Sequence, residues 1–135
     1  MARIVLTNCY VLFGSTDLSD HISSVSLSST FDIVETTAFG QTAKSRVAGL
    51  VDNSVTLEFH QDYASGEVEA TIYPLLGTVT TVTVKPVNTA TSASNPLYTA
   101  SALVSEWTPL NGAVGELATA SVTWPVSGAI VKTTA

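Results

Sequence analysis

Charge is what this sequence has least of. Asp, Glu, Lys and Arg make up 12% of its 135 residues, about half the roughly 25% of an average domain. Only five of these are basic, so the electrostatic footprint of an ordinary DNA- or RNA-binding domain is missing. A single cysteine, Cys9, excludes an internal disulfide framework and a Cys-rich zinc site. No apolar run reaches the roughly 18 residues of a membrane-spanning helix. The opening apolar stretch, Ile4-Val5-Leu6, is too short for the h-region of a secretory signal, which places synthesis in a cytoplasm. Gly-x-Ser-x-Gly, P-loop and Gly-x-Gly-x-x-Gly motifs are all lacking, so familiar marks of hydrolases and nucleotide binders are absent.

Serine and threonine take the place of charge, at 36 positions. Apolar residues stand at 45%, with a mean hydropathy of +0.35. Such a chain is too apolar to stay disordered and long enough for one domain with a real core. Its net charge is −6. Charge ordinarily keeps small domains apart in solution, so a chain with so little of it is suited to associate.

Alternation with period two dominates, the mark of strands with one buried face. Over 24–36, Val25, Leu27, Phe31 and Ile33 form the apolar side, while Ser24, Ser26, Ser28, Thr30 and Asp32 form the polar side. Over 54–60, Val55, Leu57 and Phe59 face in. Val82 and Val84 do so over 78–86, where Pro86 ends the strand because proline cannot donate to a ladder. Two further strands are expected at 98–108 and 116–126, the second with Thr119, Ser121 and Thr123 on its polar side. The turn-rich stretch between them, containing Asn111-Gly112, predicts an antiparallel hairpin. Another pair is expected at 4–6 and 10–13, with a turn at Gly14-Ser15-Thr16.

One segment has helical spacing. Val68, Ile72, Leu75 and Leu76 form a single stripe, so a helix is predicted over about 65–76. Ser65 can cap it, Gly77 can stop it, and Pro74 should end or kink it. The aperiodic segment 38–49 reads as a loop, as does 88–96. The architecture predicted is mainly β, a sandwich or barrel of antiparallel strands with one short α-helix, in a single domain over 1–135.

Catalytic groupings are hard to assemble from this inventory. His21 follows Asp20 in an expected turn, and His60 lies two residues before Asp62. Two ligands on one strand face do not close a metal site, so hydrogen-bonded surface histidines are expected, with no metal and no cofactor. Cys9 has no basic neighbour to activate it and reads as an inert packed thiol. Trp107 and Trp124 read as core or interface anchors rather than carbohydrate platforms. The residues therefore argue against an enzyme.

Several stretches together resemble the tail tube (major tail) proteins of long-tailed, non-contractile bacteriophages. They are Asp17-Leu18-Ser19-Asp20-His21-Ile22-Ser23-Ser24-Val25, the segment 38–49 with the strand ending Glu58-Phe59-His60-Gln61-Asp62-Tyr63, and Asn95-Pro96-Leu97-Tyr98. Glu106-Trp107-Thr108-Pro109 and the closing run from Gly112 to Trp124 complete the likeness, which spans most of 17–128. The resemblance implies a β-sandwich or barrel core whose subunits join sheets into hexameric rings. Rings stack into a hollow tube through which DNA passes from capsid to host without specific binding. It further implies a virion location after assembly in the bacterial cytoplasm, no membrane, and tape-measure and tail-terminator proteins as partners.

By position, the resemblance gives the ring-to-ring contact to the loop 38–49, with Phe39, Lys44, Arg46 and Val47 as contact residues. The polar strand faces Ser26, Ser28, Thr30 and Asp32, or Thr119, Ser121 and Thr123, are candidates for the lumen or a groove. A ring of six chains at −6 each would carry −36, which repels phosphate rather than holding it by counterion release. Bacterial secretion-system tube proteins share this ring logic. The alternatives are another self-assembling virion protein, for decorating a capsid or completing a tail, and a carbohydrate-binding or hydrolytic β-sandwich.

Overall fold

Valine and threonine alternate along most strands, and the order in which those strands pair produces two sheets. The computed structural model describes residues 3–134. Met1 and Ala2, at the head of the opening stretch, and Ala135, the last residue of the expected 1–135 unit, lie outside the described residues. The strands are β1 (Tyr10–Phe13), β2 (Thr16–Asp17), β3 (Ile22–Glu35) and β4 (Arg46–His60), then β5 (Val79–Lys85), β6 (Leu97–Leu103), β7 (Thr119–Pro125) and β8 (Val131–Thr133). One sheet has the order β2-β1-β5-β6-β8 and the other β3-β4-β7, with every pairing antiparallel. The fold is thus mainly β, with one short helix, α1 (Val68–Ile72).

In β4, β5 and β7 the inward faces are the ones the alternation marked. Val55, Leu57 and Phe59 of β4 and Ala120, Val122 and Trp124 of β7 are buried against Val11 and Phe13 of β1 and Val82 and Val84 of β5. Phe13, Phe59, Trp107 and Trp124 form an aromatic cluster with ring centroids 5.3–6.3 Å apart. Fully burying one large apolar side chain stabilises a fold by about 1.5–3 kcal/mol.

Four local expectations are corrected. First, β6 and β7 do not form a hairpin. β6 lies between β5 and β8, whereas β7 pairs with β4 in the other sheet. The strand expected over 98–108 ends at Leu103, and the chain then crosses between sheets. Side chains of the crossing hold it there: Trp107 donates its indole N–H to Glu69 at 2.8 Å, and the Trp124 indole donates to the Glu106 carbonyl at 2.8 Å. After β7 the chain bridges back, Val126 opposite Ala102, before adding the unanticipated β8.

Second, Ile4-Val5-Leu6 is not a strand and lies exposed; β1 pairs instead with β2 and β5. Third, α1 is only Val68–Ile72, continued by a 3₁₀ turn at Tyr73–Leu75. Pro74 lies in that turn, where a missing N–H and a ring clash would break an α-helix. Glu67, not Ser65, occupies the N-cap, without a side-chain cap bond. Val68 and Ile72 are buried, but Leu76 is 43% exposed.

Fourth, the loop expected at 38–49 is shorter. Residues 46–49 belong to β4, because the ladder resumes beyond a bulge with Ile33↔Ala48, Val34↔Val47 and Glu35↔Arg46. Gly49 lies in the bulge, where an added Cβ would come within 3.2 Å of the Asp32 Cβ and 3.1 Å of Val34. Nor are Phe31 and Ile33 buried as the alternation predicts: they are 56% and 74% exposed. β7 pairs only with positions 54–60 of β4, so the outer half of the β3–β4 hairpin has no third strand.

The loop before β6 is held by one side chain. Buried Asn95 accepts from the Val87 N–H at 3.1 Å and donates to the Val87 carbonyl at 3.0 Å and the Ala90 carbonyl at 3.2 Å. Asn95→Ala strands these backbone groups, and a loss of about 1–3 kcal/mol is expected in urea unfolding. An unchanged midpoint would show that water replaces the amide without cost.

Candidate assembly interface

The β3–β4 hairpin is the feature with the most exposed apolar surface. Its two strands stay paired from Ile22↔Phe59 out to Glu35↔Arg46, well past the end of β7. No residue of 31–52 is buried. Yet Phe31, Ile33, Val34, Val47, Leu50 and Val51 are apolar and exposed, Leu50 to 82%. A two-stranded ribbon has little independent stability in water. Exposed apolar patches of this kind ordinarily mark contact surfaces.

The tip, residues 36–45, is folded back on itself. The Thr36 N–H donates to the Ser45 carbonyl at 2.8 Å, and the Ser45 N–H donates to the Thr37 hydroxyl at 2.9 Å. The Ala38 N–H donates to the Gln41 side chain at 2.6 Å, and Gly40 takes a positive φ of 91°. Phe39 is fully exposed there. Lys44 is also exposed, and Arg46 and Val47 open β4, Arg46 opposite Glu35. All four sequence-predicted contact residues therefore lie on one arm. Phe31, Ile33, Val34, Leu50 and Val51 were missed, although the adjacent pairs Ile33-Val34 and Leu50-Val51 break the alternation and signal a ribbon apolar on both faces.

The second predicted set also converges. Ser26 pairs with Thr56, which pairs with Thr123; Ser28 pairs with Ser54; and Ser24, Glu58 and Ser121 form the next row. Thr30 lies opposite Asp52, Thr119 opposite His60, and Asp32 extends the β3 row to the bulge. The Thr56 and Thr123 hydroxyls lie 3.2 Å apart. The result is one outward sheet face of small hydroxyls with scattered carboxylates. Arg46 is the one Lys or Arg in β3, β4 and β7.

Other singled-out residues lie elsewhere. Trp124 is buried and Trp107 half-buried edge-on against Phe59, so neither presents a platform to a sugar. The Cys9 thiol donates to the Lys85 carbonyl at 3.1 Å, and burial pushes its pKa up, away from the reactive thiolate. Asp62 pairs with His21 rather than with His60. Burial alone would lower the His21 pKa, but hydrogen bonds to Asp62 and Asp20 outweigh it and hold the ring above its ordinary value. The Ala64 N–H and the His21 ring in turn hold the Asp62 carboxyl below its usual range. Among the described residues, no helix is long and apolar enough to cross a membrane.

No protein-family model and no curated protein matches this chain. Solved structures do share its fold. A chain of the sheath/tube terminator structure of an extracellular contractile injection system, PVC, in the extended state has a TM-score of 0.73 at 16% identity. The match covers 98% of this chain and 97% of that one. A chain of the PVC sheath–tube complex in the extended state has a TM-score of 0.70 at 14% identity, over 98% of this chain and 93% of that one. A chain of the virion of a native gene transfer agent particle has a TM-score of 0.65 at 13% identity, over 84% and 85%. At such identities the likeness is one of fold.

Proposed function

We propose that this chain is a non-enzymatic tail-tube subunit of a virion. Copies join into rings, hexameric in the form the sequence resemblance suggests, and rings stack into a tube that conducts DNA to the host. The observation that carries this reading is the β3–β4 arm, apolar on both faces and reaching past the core that would otherwise cover it. In the stack, the arm's tip and flanks contact the next ring, through Phe39, Lys44, Arg46 and Val47. β3 and β7 are the edge strands of their sheet; the outward N–H groups of Thr119 and Thr123 on β7 are already held by the Asn111 carbonyl and the Glu106 carboxylate, so β3 is the freer edge. Pairing one subunit's edge with its neighbour's hides both and closes a ring by a head-to-tail contact.

The hydroxyl-rich face of that sheet then lines the lumen. It offers phosphates no lysine, and its Asp52 and Glu58 repel them, so DNA slides rather than binds. Tape-measure and terminator proteins are the partners within and at the end of such a tube. The sequence resemblance suggests a non-contractile phage tail. The similar folds come from contractile injection systems and a gene transfer agent, and they support a structural role in a tail.

Purified protein examined by negative-stain electron microscopy should show rings or filaments; a strictly monomeric chain at high concentration overturns the proposal. The double substitution Lys44→Glu with Arg46→Glu should hinder stacking while leaving the far-ultraviolet spectrum unchanged. Normal tube growth in that variant removes the contact role from these two residues.

One observation favours a second reading. The match to a chain of a sheath/tube terminator structure is nearly end to end in both chains. A tail-completion protein with this fold would form a single closing ring. Discrete rings that never elongate, even at high concentration, would select it over the stacked tube.

A further inference from the structure

His21 ends the 3₁₀ turn Ser19–His21 just before β3, and both nitrogens of its ring face carboxylates. Nδ1 lies 2.8 Å from Asp20 Oδ1, while Nε2 lies 2.9 Å from Asp62 Oδ2 and 3.6 Å from Glu67 Oε2. A neutral imidazole has one N–H, so it can satisfy an acceptor on only one side. The other nitrogen needs a second proton or a metal ion.

Several features suit a metal. The three atoms Nε2, Oδ2 and Oε2 lie within 4.8 Å of one another. A tetrahedral zinc ion, with bonds of about 2.0–2.2 Å, sets its ligand atoms roughly 3.3 Å apart, between the 2.9 and 3.6 Å separations of the two carboxylate oxygens from Nε2. Asp20 on Nδ1 is the outer carboxylate that typically fixes the tautomer of a metal-bound histidine. Asp62 is already aimed: its Oδ1 accepts the Ala64 N–H at 2.9 Å, leaving Oδ2 for the ring. The His21 side chain is only 17% exposed, and its backbone N–H is held by the carbonyl of fully buried Leu18. The turn that carries the ring is therefore anchored on the core, and the carboxylates aim the ring itself.

We propose that His21 Nε2, with one carboxylate oxygen each from Asp62 and Glu67, binds a divalent transition-metal ion of the zinc class, water completing the coordination. The mixed nitrogen and oxygen set suits zinc, whereas magnesium and calcium take oxygen alone. On binding, the ion replaces the Nε2 proton, which leaves to solvent. The ion then ties the turn that opens β3 to the segment that opens α1, at the root of the hairpin arm.

The test uses the untagged full chain, stripped with a chelator and titrated with zinc chloride near neutral pH by calorimetry and thermal unfolding. About one zinc per chain and a raised Tm are expected, with no shift from magnesium. Cobalt(II) in its place should give visible absorption bands of a low-coordinate site. His21→Gln should weaken zinc binding by tenfold or more, and Asp20→Ala, which removes only the outer partner, by about 10–100-fold. Glu67→Gln tests the same site with less risk to the β3 turn, and His60→Gln should leave binding intact. No zinc-dependent heat or Tm shift overturns the proposal. So does binding that survives both His21→Gln and Glu67→Gln, or that is lost equally in His60→Gln.

Discussion

Replacing residues 37–44 by Asn-Gly is expected to leave a folded chain that no longer assembles. The dipeptide closes a two-residue hairpin onto Thr36 and Ser45, whose backbones already pair. No residue removed is buried, so the core loses nothing. Shortening a loop changes its closure entropy only slightly, and the midpoint of urea unfolding should shift by less than about 1 kcal/mol. Assembly should respond differently. The deletion removes fully exposed Phe39, the aromatic of the tip, and buried aromatics are the residues that most often dominate contact energies, at about 2 kcal/mol or more each. In a ring the loss recurs in every subunit, so it multiplies at each junction as multivalent contacts do. The protein concentration needed for particles in light scattering and electron micrographs should rise at least about 100-fold. Tubes of normal length at the usual concentration would remove the arm from the assembly contact.

Trp124→Ala should act in the opposite way, through the fold. The side chain is fully buried and touches both sheets, its ring centroid 6.1 Å from that of Phe13 and 6.3 Å from that of Phe59. Truncating a buried tryptophan costs about 3–5 kcal/mol, partly for the cavity left behind. The indole N–H also satisfies the Glu106 carbonyl at 2.8 Å, which anchors the crossing between β6 and β7. Against a total stability of about 5–15 kcal/mol, the variant should stay folded with a much reduced margin and unfold at a clearly lower temperature and urea concentration. Trp124→Phe should recover part of the packing but not the hydrogen bond. A loss below about 1 kcal/mol on calorimetry for the alanine variant would mean that the two sheets close without this ring.

Much of the fold was legible because alternation reports faces. Val55, Leu57, Phe59, Val82, Val84 and Val122 all turned inward as their spacing required. Alternation does not report partners, which is why the β6–β7 hairpin was expected. The two strands pair instead with β5, β8 and β4, and the crossing between them is held by Trp107 on Glu69 of α1 and by Glu106 on the Thr123 N–H of β7. Nor does it report coverage. Phe31 and Ile33 have the spacing of core residues, yet no element lies over them. Residues joined by tertiary contact alone were illegible: His21 and Asp62 are 41 positions apart, and only the folded chain brings their side chains to 2.9 Å. The predicted contact residues were placed on one arm and the predicted polar residues on one sheet face because each set was contiguous or in register along its strands.

The bulge opposite Asp32 has a mechanical consequence. An extra residue in one strand bends and twists a ribbon locally, and Gly49 supplies the close approach that this bend requires. The joint falls between the three-stranded root of the hairpin and its two-stranded outer half. If stacked subunits are linked through that outer half, bending strain collects at the joint. A filament of this kind curves at the seams between its discs while each disc stays stiff, and a side chain at position 49, pressing on Asp32 and Val34, should change that curvature.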